Sequence, residues 1–385
     1  MRTWLRRLGT LLLFAAVALC FAPSLIPPFL DRIYYEGPRS GHFDGERFFN
    51  PGPSASAGAH GGPARFLNRI IGSDERSQWP ARVPVAPTVP PRRVEGREML
   101  VTWIGHATVL VQTAGLNILT DPIWSERASP FSFVGPKRVR APGVRFEDLP
   151  RIDLVLVSHN HYDHMDLATL ERLWKRDRPV IVTSLGNDTI LRGAGIPPRF
   201  AATDCGRCPG VQALDWEGDT LVEGAAMEAW TRNSRGPAPL AQVLVLRNHH
   251  WGSRWGTDRN RALWSAFAVR TPAGNIFFAG DTGYGDGRWP EEAARRGPFR
   301  LAILPVGAYE PRDVMKNNHV DPDEAVRIFE KLKPGMALGM HWGTFQLTFE
   351  AIADPPRRLS EARKARGVAP ERFVTTEVGR SFRVP

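Results

Sequence analysis

With three cysteines in 385 residues, the chain cannot rely on a disulfide framework. Lysine is scarce too. The 50 cationic residues comprise 44 arginines and six lysines, so forked side chains that match phosphate or carboxylate bidentately far outnumber point charges. Anions fall short of cations by ten, which favours approach to phosphate esters, acidic lipids or nucleic acid without choosing among them. No internal repeat is visible. Apolar material is ample, at 42% of residues against 23% charged, which excludes collagen-like, coiled-coil and wholly disordered chains. At roughly 150 residues per domain the length allows two or three domains.

Three arginines fall within Met1 to Arg7, and Leu8 to Ala22 is then apolar or small at every position except Thr10. This is the pattern of a targeting segment. A spanning helix needs about 20 residues, and Pro23 to Leu30 could extend the run across three prolines. Leu19-Cys20-Phe21 interrupts a small-x-small cleavage site, so an uncleaved anchor over residues 1–30 is expected, with a cleaved signal as the alternative. Arginines ahead of the apolar run put the bulk of the chain on the non-cytoplasmic side, or secreted or periplasmic if the signal is cleaved. Residues 31–98 are rich in Pro, Gly and Ser and show no period that buries a face, as in a linker or a collar lying on a domain.

Periodic structure begins at Met99. Leu100 to Ile104, Thr108 to Gln112 and Asn117 to Thr120 are short β-rich runs, and Ile152 to Val157 is a continuous apolar run of buried-strand type. A helix is expected from about Leu167 to Lys175. Further strands are expected at Val180 to Thr183, Gln242 to Leu246, Trp264 to Arg270, Asn275 to Ala279, Leu301 to Pro305 and Met336 to Met340. Pro272 to Asn275 reads as a hairpin turn. Asp321-Pro-Asp-Glu324 combines an N-cap acid, proline at the first helical position and glutamate at the third, predicting a helix to about Lys333. Another helix is expected at Leu359 to Arg366, with closing strands between Phe373 and Phe382. Interspersed strands and helices over 99–385 predict one mixed α/β domain with two sheets.

Directly after the Ile152 to Val157 strand comes Ser158-His159-Asn-His161-Tyr-Asp163-His164. Three imidazoles so close together would repel one another when protonated, and a surface loop has no structural use for them beside a carboxylate. They are ordinary zinc ligands, and His-x-His lets two rings converge on one ion. Of the ten histidines, His250 and His341 also follow strands, as does Asp281 between Gly280 and Gly283. Ligands at the ends of four strands suit a site on a rigid scaffold.

This set, His159-x-His161-x-Asp163-His164 with His250, Asp281 and His341, resembles the metallo-β-lactamase superfamily of di-zinc hydrolases. Longer strings, among them Thr102 to Thr108, Thr120 to Trp124, Phe278 to Tyr284, Gly307 to Arg312 and His341 to Phe345, resemble its N-acylphosphatidylethanolamine-hydrolysing phospholipase D branch over about Met99 to Phe382. The resemblance implies an αββα sandwich, two mixed sheets flanked by helices, here with an N-terminal apolar anchor. It implies two Zn2+, with His159, His161 and His250 at the first, Asp163, His164 and His341 at the second, and Asp281 bridging. Iron or manganese also suits such ligands. It implies attack by a metal-bridging hydroxide on a phospholipid diester at a membrane, yielding N-acylethanolamine and phosphatidic acid; Asp163, Asp281 and His319 are read as the catalytic residues. Mammalian members have glutamine where His249 and Asn318 stand, which leaves head-group preference open.

Most weaker candidates keep two readings. His319 either binds the phosphate or protonates the leaving alkoxide, or else it is a helix-start residue. His106 reads as a buried hydrogen-bonded histidine, and Asp121 as a partner for a ligating imidazole or an Asp-Pro turn. Cys205-Gly-Arg-Cys208 is a local disulfide or two free thiols. Phe131, Phe133, Trp251 and Trp255 with Lys137, Arg138 and Arg254 form an amphipathic lipid rim or ordinary core and loop. Rival functions are a lactonase or nuclease on the same fold, and a non-catalytic metal-binding protein. The membrane segment argues against nucleic acid as partner, and the oligomeric state, including a homodimer, is open.

Overall fold

The computed structural model describes residues 31–52, 76–199, 208–223 and 240–385, with a helical stretch at 9–15 and single positions beside it. Among these no helix is long and apolar enough to cross a membrane, and the anchor expected over 1–30 lies mostly outside them.

Alternation along the strands sorts the chain into layers. In β1 (Met99–Gly105), Met99, Val101 and Trp103 enter the core between two sheets while Ile104 turns the other way. The same split runs through β2 (Thr108–Thr113), β3 (Leu116–Thr120) and β4 (Leu154–Val157): Val109, Ile118 and Leu156 face inward, and Leu110, Leu119 and Val155 face outward. With β5 (Val180–Ser184), β6 (Gly210–Leu214) and the closing β14 (Ser381–Arg383), they form a seven-stranded sheet ordered β14-β1-β2-β3-β4-β5-β6.

The second sheet runs β13-β12-β11-β10-β9-β8-β7. Its strands are β7 (Asp219–Glu223), β8 (Leu240–Leu246), β9 (Ala266–Arg270), β10 (Asn275–Phe278), β11 (Phe299–Pro305), β12 (Met336–Met340) and β13 (Phe373–Val374). In β11 and β12, Leu301, Ile303, Met336, Leu338 and Met340 meet the first sheet, while Ala302, Leu304 and Ala337 face helices. Helices α1 (Leu167–Asp177) and α2 (Asn187–Gly193) cover the first sheet through Leu170, Leu173, Trp174 and Leu191. On the second, α3 (Trp289–Ala294), α5 (Pro322–Leu332) and α6 (Asp354–Ala365) pack Trp289, Ile328, Phe329 and Leu359, with the one-turn α4 (Arg312–Met315) between α3 and α5 in sequence. The result is four layers, helix, sheet, sheet, helix.

The capping box at Asp321 and Glu324 is present as expected. The helix expected at Leu359 starts earlier, at Asp354, because Pro355 and Pro356 are tolerated in its first turn, where amide hydrogens have no partner anyway. The closing strands read between Phe373 and Phe382 are two, one at the edge of each sheet. β6, β7, α2 and α3 carried no strong pattern and appear only in the structure.

The described parts of 31–98 are packed. Phe43 and Phe48 are buried against Leu263 and Trp264, and Asp31 pairs with Arg47 and Arg261, each at 2.8 Å. At the β2–β3 hairpin, Gln112 and Asn117 donate to the carbonyls of Pro91 and Arg92. Cys208 is disulfide-bonded, and the other two cysteines, Cys20 and Cys205, lie outside the described residues.

Candidate metal centre

β3, β4 and β5 are parallel, as are β10, β11 and β12, so their carboxyl ends open on one side of the sandwich. Ligands gather at such ends in α/β sheets. Asp121 follows β3, His159 to His164 follow β4, His250 follows β8, Asp281 follows β10 and His341 follows β12. Among the described residues, four of the nine non-glycine positions with positive φ lie here: His106, Asp121, Ala308 and His341. Left-handed backbone at such residues stores strain that the packed surroundings hold. Gly307 is required by proximity, since a Cβ there would stand 2.2 Å from the carbonyl oxygen of His341.

The structure brings two groups of ligand atoms together, each within a span of 4.8 Å: His159, His161 and His250, and His106, Asp163, His164 and His341. Asp281 lies between them, its Oδ2 3.1 Å from His164 Nε2, 3.1 Å from His341 Nε2 and 4.0 Å from His250 Nε2. His319 joins His250 and Asp281 in a further cluster, its Nδ1 3.8 Å from Asp281.

Outer partners fix which ring nitrogens face inward. Asp121 takes His164 Nδ1 at 2.7 Å and Ser158 through both its amide and its hydroxyl, so Asp121 holds an imidazole and does more than make a turn. The Asn318 carbonyl takes His250 Nδ1 at 2.8 Å, and Asn50 donates to the His250 carbonyl. His106 is buried and hydrogen-bonded as its sequence suggested, but its partner is Asp163, at 2.8 Å. The signal for that was the Gly105-His106 turn, which falls at the same end of the sandwich. Arg254 donates to the carbonyls of Asn160 and Met165 and braces the ligand loop, a contact no local pattern announces. Arg138 does not belong to a lipid rim: carbonyls of Ile123, Ser125 and Arg140 take its guanidinium.

Burial drives His159 and His250 well below their ordinary pKa, and His161 and His106 down to about 3. Burial also opposes charge on His164 and His341, but Asp281 and Asp163 outweigh it, raising His164 well above its usual value and His341 to about 9. Those imidazoles in turn overcome the burial that would raise Asp163 and Asp281, and both stay far below the carboxylate range. Two buried carboxylates thus draw protons onto His164 and His341, a place where divalent cations would serve instead. His161 Nε2, His250 Nε2, His319 Nδ1 and Asp281 Oδ1 are buried without a hydrogen-bond partner. Buried polar atoms rarely stay so unless something else binds them. Imidazole nitrogen and carboxylate oxygen fit zinc, and also iron or manganese.

A cavity of about 360 Å³ opens beside His161, Asp163, Asp281 and His319, walled by Trp251, Val314, Met315 and Leu347. A second, of about 900 Å³, adjoins it at Tyr162 and is lined by Ile33, Phe131, Arg254 and Trp255. Phe133 and Val134 beside it are exposed.

The Beta-lactamase superfamily domain description matches residues 116–342. N-acyl-phosphatidylethanolamine-hydrolyzing phospholipase D 1 of Caenorhabditis elegans is 32% identical, across 87% of this chain and 92% of that protein. The mitochondrial N-acyl-phosphatidylethanolamine-hydrolyzing phospholipase D of Saccharomyces cerevisiae is also 32% identical, over 67% of this chain and 50% of its own length. Among solved structures, an isothiocyanate hydrolase from Delia radicum gut bacteria superposes with a TM-score of 0.53 at 17% identity, covering 74% of this chain and 98% of that one. At that identity the likeness speaks for the fold.

Proposed function

Since the chain belongs to the N-acylphosphatidylethanolamine-hydrolysing phospholipase D branch of the β-lactamase superfamily, we propose that this metal-dependent hydrolase cleaves N-acylphosphatidylethanolamine-type glycerophospholipids to N-acylethanolamine and phosphatidic acid. In this reading two zinc ions, or iron or manganese in their place, are held by His159, His161 and His250 on one side and Asp163, His164 and His341 on the other, with Asp281 between. Such a pair supplies Lewis acidity and lowers the pKa of water towards neutrality.

The chain's own groups do the rest. Asp121 and the Asn318 carbonyl aim His164 and His250, and His106 holds Asp163. His319, kept neutral because burial lowers it to about 4, offers an N–H to a phosphoryl oxygen. The observation that carries the lipid reading is the cavity, which brings His161, Asp163, Asp281 and His319 together with apolar Trp251, Val314, Met315 and Leu347. A phosphodiester bearing acyl chains presents that same division. The apolar Leu8 to Ala22 segment and the exposed Phe131 and Phe133 support work at a membrane, with the catalytic domain on the non-cytoplasmic side.

The test incubates detergent-solubilised protein with N-acylphosphatidylethanolamine and, separately, with RNA and phosphorylated lactones. Acylethanolamine is expected from the lipid, lost in His250→Ala together with bound metal. Turnover of RNA or lactone alone would overturn the lipid reading, and protein purified without chelators that holds no transition metal would falsify the metal centre.

A further inference from the structure

Among the described residues, Arg259 is the only arginine or lysine lining the cavity beside the candidate metal centre. Its guanidinium carbon stands 4.2 Å from the centroid of the Trp251 ring, and the other side of the contact chain is short: Trp251 meets the His161 ring edge-on at 4.3 Å. A single indole therefore separates this cation from a candidate ligand. No carboxylate among the described residues pairs with it. Its sequence neighbour Asp258 is spent, taking hydrogen bonds from the Tyr34 and Ser253 hydroxyls and the amides of Arg254 and Trp255. Burial alone acts on the guanidinium's acidity, with no acid opposing it. The backbone is held in place, since Arg47, itself paired with Asp31, donates to the Arg259 carbonyl.

A half-buried guanidinium with no carboxylate paired to it among the described residues lacks what burial normally demands of a charge. The scissile phosphate does not meet that need, because it belongs at the His and Asp cluster, and Arg259 reaches that cluster only by way of the Trp251 ring that meets His161. We propose that Arg259 on Trp251 forms an anion subsite that favours phosphodiesters whose head group carries a second negative group, a carboxylate or phosphate, about one head-group length from the scissile phosphorus. The planar fork matches either group bidentately, and the apolar walls strengthen the pairing. The assignment rests on the phosphodiesterase reading for its scissile phosphate.

The experiment compares two lipids that differ by one carboxylate, N-acylphosphatidylserine and N-acylphosphatidylethanolamine, on full-length metal-loaded protein and on Arg259→Gln and Arg259→Lys. Melting temperature and metal content verify that the variants fold and load. The carboxylate lipid is expected to show roughly tenfold higher kcat/KM, mostly through KM. That advantage should vanish in Arg259→Gln, survive in part in Arg259→Lys and shrink with salt. Binding of short-chain forms of both lipids to chelated protein, by calorimetry, reads the subsite without turnover. Equal kcat/KM and equal binding of the two lipids, or an advantage that survives in Arg259→Gln, overturns the subsite. Should wild type bind the carboxylate lipid more tightly through Arg259 yet cleave neither, the phosphodiesterase reading falls and the subsite stands.

Discussion

At the scale of single residues, the decisive contacts are those that turn an imidazole rather than those that would touch a metal. Asp121 sits beneath the cluster, wholly buried, and its Oδ2 holds His164 Nδ1. Asp121→Asn keeps the shape but removes the charge that orients the ring, and is expected to weaken metal affinity about 10- to 100-fold. Competition with a chelator of known affinity checks this, and unchanged affinity would mean that Asp121 serves only the turn. The ligand run at His159 to His164 was legible because its residues are adjacent. The bond between His106 and Asp163 was not, because 57 positions separate them and only the sheet brings them together.

At the scale of elements, β12 joins stability to the site: Leu338 lies in the core between the sheets, and His341 follows the strand. Leu338→Ala is expected to cost about 2–5 kcal/mol, since the sheets on either side cannot collapse into the space. Denaturant unfolding measures the loss. A cost below about 1 kcal/mol would show that this core repacks freely. Strands with unbroken apolar content, such as β4 and β12, were evident from their residues, as was α5 with its capping box. β7 escaped notice because Asp219–Glu223 is five residues long with only Leu221 and Val222 apolar and no alternation.

At the scale of the molecule, residues 31–52 behave as part of the domain. Hydrogen bonding from Arg261, aided by Arg47, lowers the Asp31 pKa below its ordinary 3.8. A lowered folded-state value means a contribution fully present above the unfolded pKa and lost as pH falls through the folded one. Asp31→Asn is therefore expected to melt at a lower temperature than wild type near neutrality, with the gap closing below about pH 4. Melting curves against pH check the sign, and a gap that stays constant would remove the ion pairs from the account.

The sequence by itself determined the ligand types, their places after strands and the kinship they imply, because adjacency and strand-end position survive in one dimension. Tertiary structure alone decided that Asp281 lies between two groups, that Asp121 and Asn318 aim the rings, and that Arg259 lines a cavity while no carboxylate among the described residues pairs with it. Each of these depends on segments distant in the chain being brought together at the carboxyl ends of the strands or beside them. That arrangement follows from burying two apolar sheet faces against each other, a condition on the whole chain that no local pattern spells out.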